Sequence, residues 1–466
     1  MKAIQDDNLP IWLPRLSIHG GPRFLQIADA LQAAMANGSL LPGDRLPPQR
    51  QLAAQLGVDL TTVTRAYDEA RRRHLLEGRG ARGTYVAAPK VELSTVLDLS
   101  MNTPPPPDGV DFDDMLKQGL SQVLMRADTA LLMNYHLGGG SDSDRKAGAQ
   151  WLEPMLGPLD ARQVVVCPGA QAAIAALILA LTEPGEVILA EPTSYPGLRT
   201  AATQFGRHII AVEADQHGMR PEKFEQACRQ HKPRLVYLNP TLQNPTAITM
   251  PERRRKELAS IAKRCNVRIV EDDPYWLLAD VPPPPIADLA PEQVVYISTL
   301  SKCLTPGLRV AFVLMRDPHE RERFLVALRS FALMVAPLTA ALATQWIFDG
   351  SATGLMEGVR QEARLRHWMA RDILAGRYSG AGDGLHVWLE LPGYWNSSQL
   401  ARAADSEGIA VTPAEAFATA ATGSGSVNAI RISLGSIKDR GRLQTGLQRL
   451  SHLLARRPES FNAAVV

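Results

Sequence analysis

Residues 298–309 read Ser298-Thr299-Leu300-Ser301-Lys302-Cys303-Leu304-Thr305-Pro306-Gly307-Leu308-Arg309. They follow the apolar run Val294-Val295-Tyr296-Ile297, which reads as a buried strand. A lysine between a strand end and a Pro-Gly turn lies outside the carboxyl edge of a sheet, where α/β proteins place ligands. The hydroxyls of Ser298, Thr299 and Ser301 can bond phosphate oxygens, and Arg309 adds a charge-assisted fork. A lysine able to form a Schiff base, set among phosphate partners, suits pyridoxal 5′-phosphate.

Outward from this stretch, apolar runs alternate with helical patterns. Val164–Cys167, Val187–Ala190, Ile209–Val212, Leu235–Leu238, Val267–Val270 and Val310–Val313 read as further strands. Amphipathic segments such as Pro251–Lys263 lie between them, which argues for a largely parallel sheet covered by helices on both faces. A long helical region, about 318–376, precedes strands at 385–389 and 429–433 and helices at 398–407 and 438–455. This tail reads as a small C-terminal α+β subdomain, about 377–466.

The strand ends carry chemistry. Gly169-Ala170-Gln171 opens a helix whose free N–H groups make a phosphate site. Asn244-Pro245-Thr246, Glu271-Asp272-Asp273-Pro274-Tyr275 and Glu191-Pro192-Thr193-Ser194-Tyr195 each follow a strand. With Ser-x-x-Ser-Lys-x-x-x-Pro-Gly-x-Arg at 298–309, these motifs resemble fold-type I aminotransferases. That resemblance implies covalent attachment of the cofactor to Lys302 and a phosphate cradle of Ala170, Gln171, Ser298, Ser301 and Arg309. Asp272 would pair with the pyridine nitrogen, Asn244 and Tyr275 would reach the 3′-oxygen, and Tyr195 would stack on the ring. Asp273, one residue on, should point to the other face. Tyr135 would reach the phosphate of a neighbouring subunit. Arg431, in Ala429-Ile430-Arg431-Ile432-Ser433, would clamp a substrate or effector carboxylate, joined by Asn102 at the end of the first strand, Leu97–Asn102. His136, His208 and His386 show no partner spacing and read as surface or packing residues.

The first eighty-odd residues are different. Phe24–Ala36 carries a helical apolar stripe stopped by Asn37-Gly38, Gln49–Leu56 forms a second helix ended by Gly57, and a third begins near Asp59 or Thr61. Two helices joined by a tight turn make a helix-turn-helix, and Leu76–Val86, broken by glycines, reads as a two-stranded wing. Leu46-Pro47-Pro48-Gln49-Arg50, Thr61-Thr62-Val63-Thr64-Arg65-Ala66-Tyr67 and Gly80-Ala81-Arg82-Gly83-Thr84-Tyr85-Val86 resemble the GntR-type winged helix. By that resemblance Arg50, Thr61, Thr62, Thr64, Arg65, Arg79 and Gly80 face double-stranded DNA. Asp59-Leu60 stands where many relatives have Ser/Thr-Arg; Asp59 reads as a helix cap, and Asp68-Glu69 as outward-facing.

Composition agrees with a multidomain soluble chain. Its 466 residues are 45% hydrophobic and 21% charged, with a net charge of +2. Residues 1–88 hold 11 Lys+Arg against 8 Asp+Glu, so the basic excess belongs to the first domain. The four cysteines have no metal-like spacing and read as free thiols in a reducing cytosol, with Cys303 a small filler beside Lys302. No metal site, signal peptide or membrane span is expected.

The expected organisation is a winged helix-turn-helix over 1–87, a proline-stiffened linker over 88–110 containing Pro104–Pro107, and an aminotransferase-like domain over 111–466. Together these resemble the MocR-type subfamily of GntR transcriptional regulators. The resemblance implies a cytoplasmic, homodimeric, pyridoxal-phosphate-dependent transcription factor on an operator with paired half-sites. It would sense an amino acid or amine effector through external aldimine formation. The alternative is an active aminotransferase with an appended DNA-binding domain. A DNA-binding module that has lost the cofactor fits poorly with Lys302, Asp272, Asn244 and Arg309 all present.

Overall fold

The computed structural model describes residues 12–13, 16–17, 21–73, 75–78, 83–87, 96–136, 138–375, 378–380, 382–419 and 427–457. The chain divides into two compact units, Met1–Thr95 and Val96–Val466.

In the first unit, helices α1 (Arg23–Ala36), α2 (Gln49–Leu56) and α3 (Leu60–Arg72) precede an antiparallel pair, β1 (Leu76–Gly78) and β2 (Thr84–Val86). Ile27, Leu31, Leu52, Val63, Ala66 and Tyr67 form its core. Gly57 ends α2 at φ 60°, left-handed backbone that glycine adopts without a Cβ penalty. Asp59 occupies the N-cap of α3, but its side chain makes no capping bond. Arg79 and Gly80 lie outside the described residues.

The second unit is built on a seven-stranded sheet. Its strands are β4 (Val164–Cys167), β5 (Val187–Ala190), β6 (His208–Ala211), β9 (Leu235–Leu238), β10 (Arg268–Asp272), β11 (Val294–Thr299) and β12 (Ala311–Leu314). A short hairpin, β7 (Ala214–Asp215) and β8 (Gly218–Met219), follows β6. The order is β4-β12-β11-β10-β9-β5-β6, with β12 antiparallel to both neighbours and the remaining pairs parallel. Alternate side chains enter two cores. Val164, Val166, Val236, Ile269, Tyr296 and Phe312 face one, while Val165, Cys167, Tyr237, Val270, Ile297 and Val313 face the other. Strands β4, β9 and β12 are buried on both faces, which is why they read as near-continuous apolar runs, whereas β6 at the sheet edge is partly exposed.

The smaller subdomain carries the antiparallel sheet β13-β14-β17-β16, formed by Tyr378–Ser379, His386–Glu390, Ala429–Ser433 and Thr412–Pro413. Strand β15 (Ile409–Ala410) pairs in parallel with β3 (Leu97–Asp98). Residues 97–108, expected within the 88–110 linker, are therefore built into this unit. Leu97 and Leu99 enter the subdomain core because they are apolar and their backbone finds a strand partner. The proline run is also packed: a Cβ on Gly435 would lie 1.8 Å from Thr103 O, and one on Gly358 would lie 2.7 Å from Pro107 Cβ.

Candidate functional site

At the carboxyl edge of β9, β10 and β11 lies a cavity of about 450 Å³, bounded on its far side by the small subdomain. Lys302 stands on the first turn after β11, and Asp272 ends β10. Gln171 and Ala170 open the helix Ala170–Leu181. Tyr195, Asn244, Tyr275, Ser301 and Arg309 also line the cavity, with Asn102 and Arg431 opposite. The large sheet and the small subdomain thus bring together side chains from Asn102 to Arg431, far apart in sequence.

Asp272 points to the same sheet face as Val270, against Tyr237. Tyr237 donates its phenolic hydrogen to Asp272 Oδ2 at 2.5 Å, while Asp272 Oδ1 is buried without a partner. Burial raises the Asp272 carboxyl to about 6, opposed by the Tyr237 bond and by Lys302. Its neighbours alternate away: Glu271 accepts from the N–H groups of Ile286 and Ala287, and Asp273 accepts from Thr241 Oγ1 at 3.0 Å. The fully buried Arg255 lies 3.9 Å from Glu271. Burial and then the positive charge of Arg431 lower the Lys302 amine to about 8, Asp272 acting in the opposite sense.

The phosphate-type cradle is backbone-built. Gly169 adopts φ 88°, and a Cβ there would fall 2.5 Å from Arg309 Nη2. The helix after Gly169 has no side-chain cap, so its first N–H groups face the cavity end unsatisfied by the protein. Thr299 caps the following turn by accepting from Ser301 N at 3.2 Å. Ser298 is buried and does not line the cavity. It follows Val294 and Tyr296 on the opposite face of β11, so the strand period of two gives Thr299 the position expected for Ser298.

On the subdomain side, Arg431 is 7% exposed. It donates to Asn244 Oδ1 at 2.7 Å and to Ser100 O at 2.5 Å, lies 4.8 Å from the Phe417 ring centroid, and has no partner for Nε. No carboxylate pairs with it in the hydrogen bonds of the described residues. Asn102 Nδ2 donates to Tyr275 Oη at 2.9 Å, which leaves the phenolic hydrogen of Tyr275 free for another acceptor. His386, read from sequence as a surface or packing residue, is buried against this network, 3.1 Å from Asn102 Nδ2. Tyr237, Asn239, Thr412 and Phe417 also line the cavity and carried no sequence signal; Tyr237 and Thr412 lie in strands where their residue types are ordinary, and Phe417 ends a short 3-10 turn. Tyr135 is 70% exposed and does not line the cavity of its own chain. Cys303 is buried, its thiol pushed up to about 12 by burial and by Asp273, which suits a packing residue.

In the first unit, Arg50, Thr61 and Arg65 are exposed and Thr62 is half-buried. Arg65 stacks on Phe24, 4.5 Å from the ring centroid. Thr64 is committed internally, donating toward Gln49 Oε1 and Leu60 O at 2.9 and 3.0 Å. The basic end of α3 is neutralised: Arg71 pairs with Asp68, Arg72 and Arg73 with Glu69, and Arg73 also with Asp29. Glu69 therefore faces its own helix end rather than solvent. No group of metal-ligating side chains, and no helix long and apolar enough to cross a membrane, occurs among the described residues.

Fold and site together define a pyridoxal-phosphate-type body joined to a winged helix-turn-helix. The bacterial regulatory proteins of the gntR family match residues 24–86, and aminotransferase class I and II matches residues 94–450. The chain belongs to the aminotransferase class I and II family, in the MocR-type arrangement of GntR transcriptional regulators. It is 30% identical over 459 residues to YdeF, an uncharacterised HTH-type transcriptional regulator of Bacillus subtilis, covering 96% of this chain and 98% of that one. It is 27% identical to PtsJ, the vitamin B6 salvage pathway transcriptional repressor of Salmonella typhimurium, over 89% of this chain and 94% of that one. Among solved structures, the α-aminoadipate aminotransferase LysN of Thermus thermophilus, complexed with N-(5′-phosphopyridoxyl)-L-leucine, superposes with a TM-score of 0.70. That match has 25% identity and covers 78% of this chain and 92% of that one. Pyridoxal 5′-phosphate is the cofactor this family and fold imply. The unpaired Asp272 Oδ1, the uncapped helix and the Gly169–Arg309 cradle fit it.

Proposed function

We propose that this protein is a DNA-binding transcriptional regulator whose second unit holds pyridoxal phosphate and senses an amino acid or amine at Lys302. The bound cofactor supplies an aldehyde carbon open to amines and a ring that withdraws electrons. The chain's own residues then have distinct tasks. Asp272, with its unpaired Oδ1, would hold the ring nitrogen, Tyr195 would hold the ring, and Asn244 and Tyr275 would hold its 3′-oxygen. The helix start at Ala170-Gln171, with Ser301, Thr299 and Arg309, takes the phosphate. Lys302 Nζ would hold the cofactor, and it lines the cavity where an effector amine would compete for that position.

The observation that carries the reading is Arg431, a buried cation at the cavity with no carboxylate partner among the described residues and an unsatisfied Nε. A buried guanidinium without a counter-ion is costly and favours a ligand that brings one. An α-carboxylate is such a counter-ion, and Arg431 and Lys302 line the same cavity, so one amino acid can engage both.

In this reading Arg50, Thr61, Thr62 and Arg65 present the first unit to DNA, and Arg79 and Gly80 are assigned to the same role by the family resemblance. The protein acts as a homodimer on paired half-sites, and the exposed Tyr135 serves the partner's phosphate site. An effector that binds one arrangement of the chain better than another shifts operator affinity, and DNA shifts effector affinity by the same factor. The test is operator binding by the loaded full-length protein across a panel of amino acids and simple amines. An affinity unmoved by every member overturns the sensing role.

A second reading, transamination, is favoured by the lowered Lys302 amine, which near neutrality is partly free to take a proton. Release of a keto acid in multiple turnovers distinguishes it.

A further inference from the structure

Asn102 stands between the two ends of the cavity. Its backbone oxygen accepts from Lys302 Nζ at 2.5 Å. Two residues earlier, the Ser100 oxygen accepts from Arg431 Nη2 at 2.5 Å. Asn102 lines the cavity and is only 5% exposed. Its Nδ2 lies 2.9 Å from Tyr275 Oη and 3.1 Å from His386 Nδ1, whereas its Oδ1 is buried with no partner.

His386 decides which amide atom is which. Its Nε2 lies 3.2 Å from the Gln243 carbonyl oxygen, which only accepts, so Nε2 carries the hydrogen of the neutral ring. Nδ1 is then an acceptor and requires the Asn102 NH₂. A flipped amide would set its oxygen against the Nδ1 lone pair. Burial, then Arg431, with His367 and Lys302 adding to it, keeps the ring neutral, its pKa lowered to about 3. Both Asn102 amide hydrogens are thereby used, by His386 and Tyr275, and Oδ1 is left as an acceptor without a donor. Such an atom is costly to bury, and a ligand that brings a donor relieves that cost.

Resting on the amino-acid-sensing reading above, we infer that Asn102 Oδ1, oriented by His386, selects amino acids whose side chain carries a hydrogen-bond donor and disfavours a second carboxylate. The cations among the described lining residues are Lys302, Arg309 and Arg431. In that reading the phosphate engages Arg309 and the α-carboxylate Arg431, while Lys302 Nζ donates to the backbone oxygen of Asn102. A second carboxylate placed against Asn102 would set its oxygens against the Oδ1 lone pairs, and a methyl group would leave Oδ1 unpaired. A side-chain hydroxyl, amide N–H or ammonium answers it.

The test uses full-length protein loaded with pyridoxal phosphate and titrated with L-homoserine, L-norvaline and L-aspartate, followed by the visible absorbance of the cofactor. Homoserine and norvaline differ by a hydroxyl in place of a methyl. Homoserine should bind roughly 3- to 10-fold more tightly than norvaline, the effect of one neutral hydrogen bond, and aspartate should bind more weakly than either. Asn102→Leu keeps the backbone oxygen and should bring the homoserine-to-norvaline ratio to about one. His386→Leu, which frees the amide to turn, should do the same. His386→Gln, whose carbonyl can accept from Asn102 Nδ2, should keep the preference; a purely structural role for His386 would lower all three affinities together. The inference is overturned by a wild-type ratio of one, by tightest binding of aspartate, or by a preference that survives Asn102→Leu. A cofactor band that no amino acid moves overturns the sensing reading itself, and this inference with it.

Discussion

Tyr237 Oη donates to Asp272 Oδ2 at 2.5 Å across the β9–β10 pair, and that one bond leaves Asp272 Oδ1 as the sole unpaired oxygen of the carboxylate. A strand tyrosine thus sets which atom of the acid is left for a ligand. Tyr237→Phe should raise the Asp272 pKa above about 6, because the bond opposes the burial that drives the shift. The pH at which cofactor retention falls should move upward, read as loss of the visible band in an acid titration.

Asp272→Asn should separate stability from function. The folded-state pKa of Asp272, about 6, lies above the ordinary carboxyl value of 3.8. Its stabilising effect on the cofactor-free chain is therefore fully present below the unfolded value and is lost as pH rises through about 6. Above that pH the buried charge is a burden, so the amide should stabilise the cofactor-free protein by on the order of 2 kcal/mol at about pH 8. It should also weaken pyridoxal phosphate binding at least roughly tenfold. Thermal melts of both cofactor-free forms at about pH 5 and about pH 8 check the sign; an Asp272→Asn protein that melts below wild type at the higher pH would falsify it.

The Lys302 amine, lowered to about 8 by burial first and Arg431 next, should attach the cofactor faster as pH rises through that value. Removing a positive neighbour raises an amine's pKa. Arg431→Ala should therefore shift the pH midpoint of attachment upward while the cofactor is still taken up. The same variant should lose affinity for amino acids by roughly 100-fold and leave simple amines little affected. Stopped-flow absorbance across pH, with and without a carboxylate on the ligand, reads both effects.

Gly169→Ala combines a strained backbone at φ 88° with a Cβ 2.5 Å from Arg309 Nη2. Pyridoxal phosphate affinity should fall at least roughly tenfold with Arg309 displaced, while circular dichroism of the fold is unchanged. Unaltered affinity would show that Arg309 has room to move away without loss.

For the DNA unit, Arg50→Ala should weaken operator binding and lower the salt slope by about one, as expected for one phosphate contact. Thr64→Val should act differently, because the Thr64 hydroxyl bonds Gln49 and Leu60 inside the unit. Its main effect should be a loss of about 1 kcal/mol in stability, seen in melts of the full chain, with specificity retained.

Much of this architecture was legible in local pattern. Apolar runs with strand length, a proline close after several strand ends and a lysine before Pro306-Gly307 are short-range features, so the parallel sheet and the ends of α2 could be read directly. The place of Asp272 at the cavity was legible through the Asp-x-x-Tyr resemblance, with strand alternation separating it from Asp273. Alternation applied to Ser298 and Thr299 would have exchanged those two, since it places Ser298 with Val294 and Tyr296 on the face away from the cavity.

What local pattern determined about this protein is the chemistry available at each strand end and the class of fold that gathers strand ends at one edge. Tertiary structure alone decided the partners. His386 lies 284 residues from Asn102, Arg431 lies 187 from Asn244, and Leu97 finds its strand partner at Ile409. No local propensity encodes such pairings, because the energy of a buried polar group is set by whichever donor or acceptor the folded chain brings within about 3 Å.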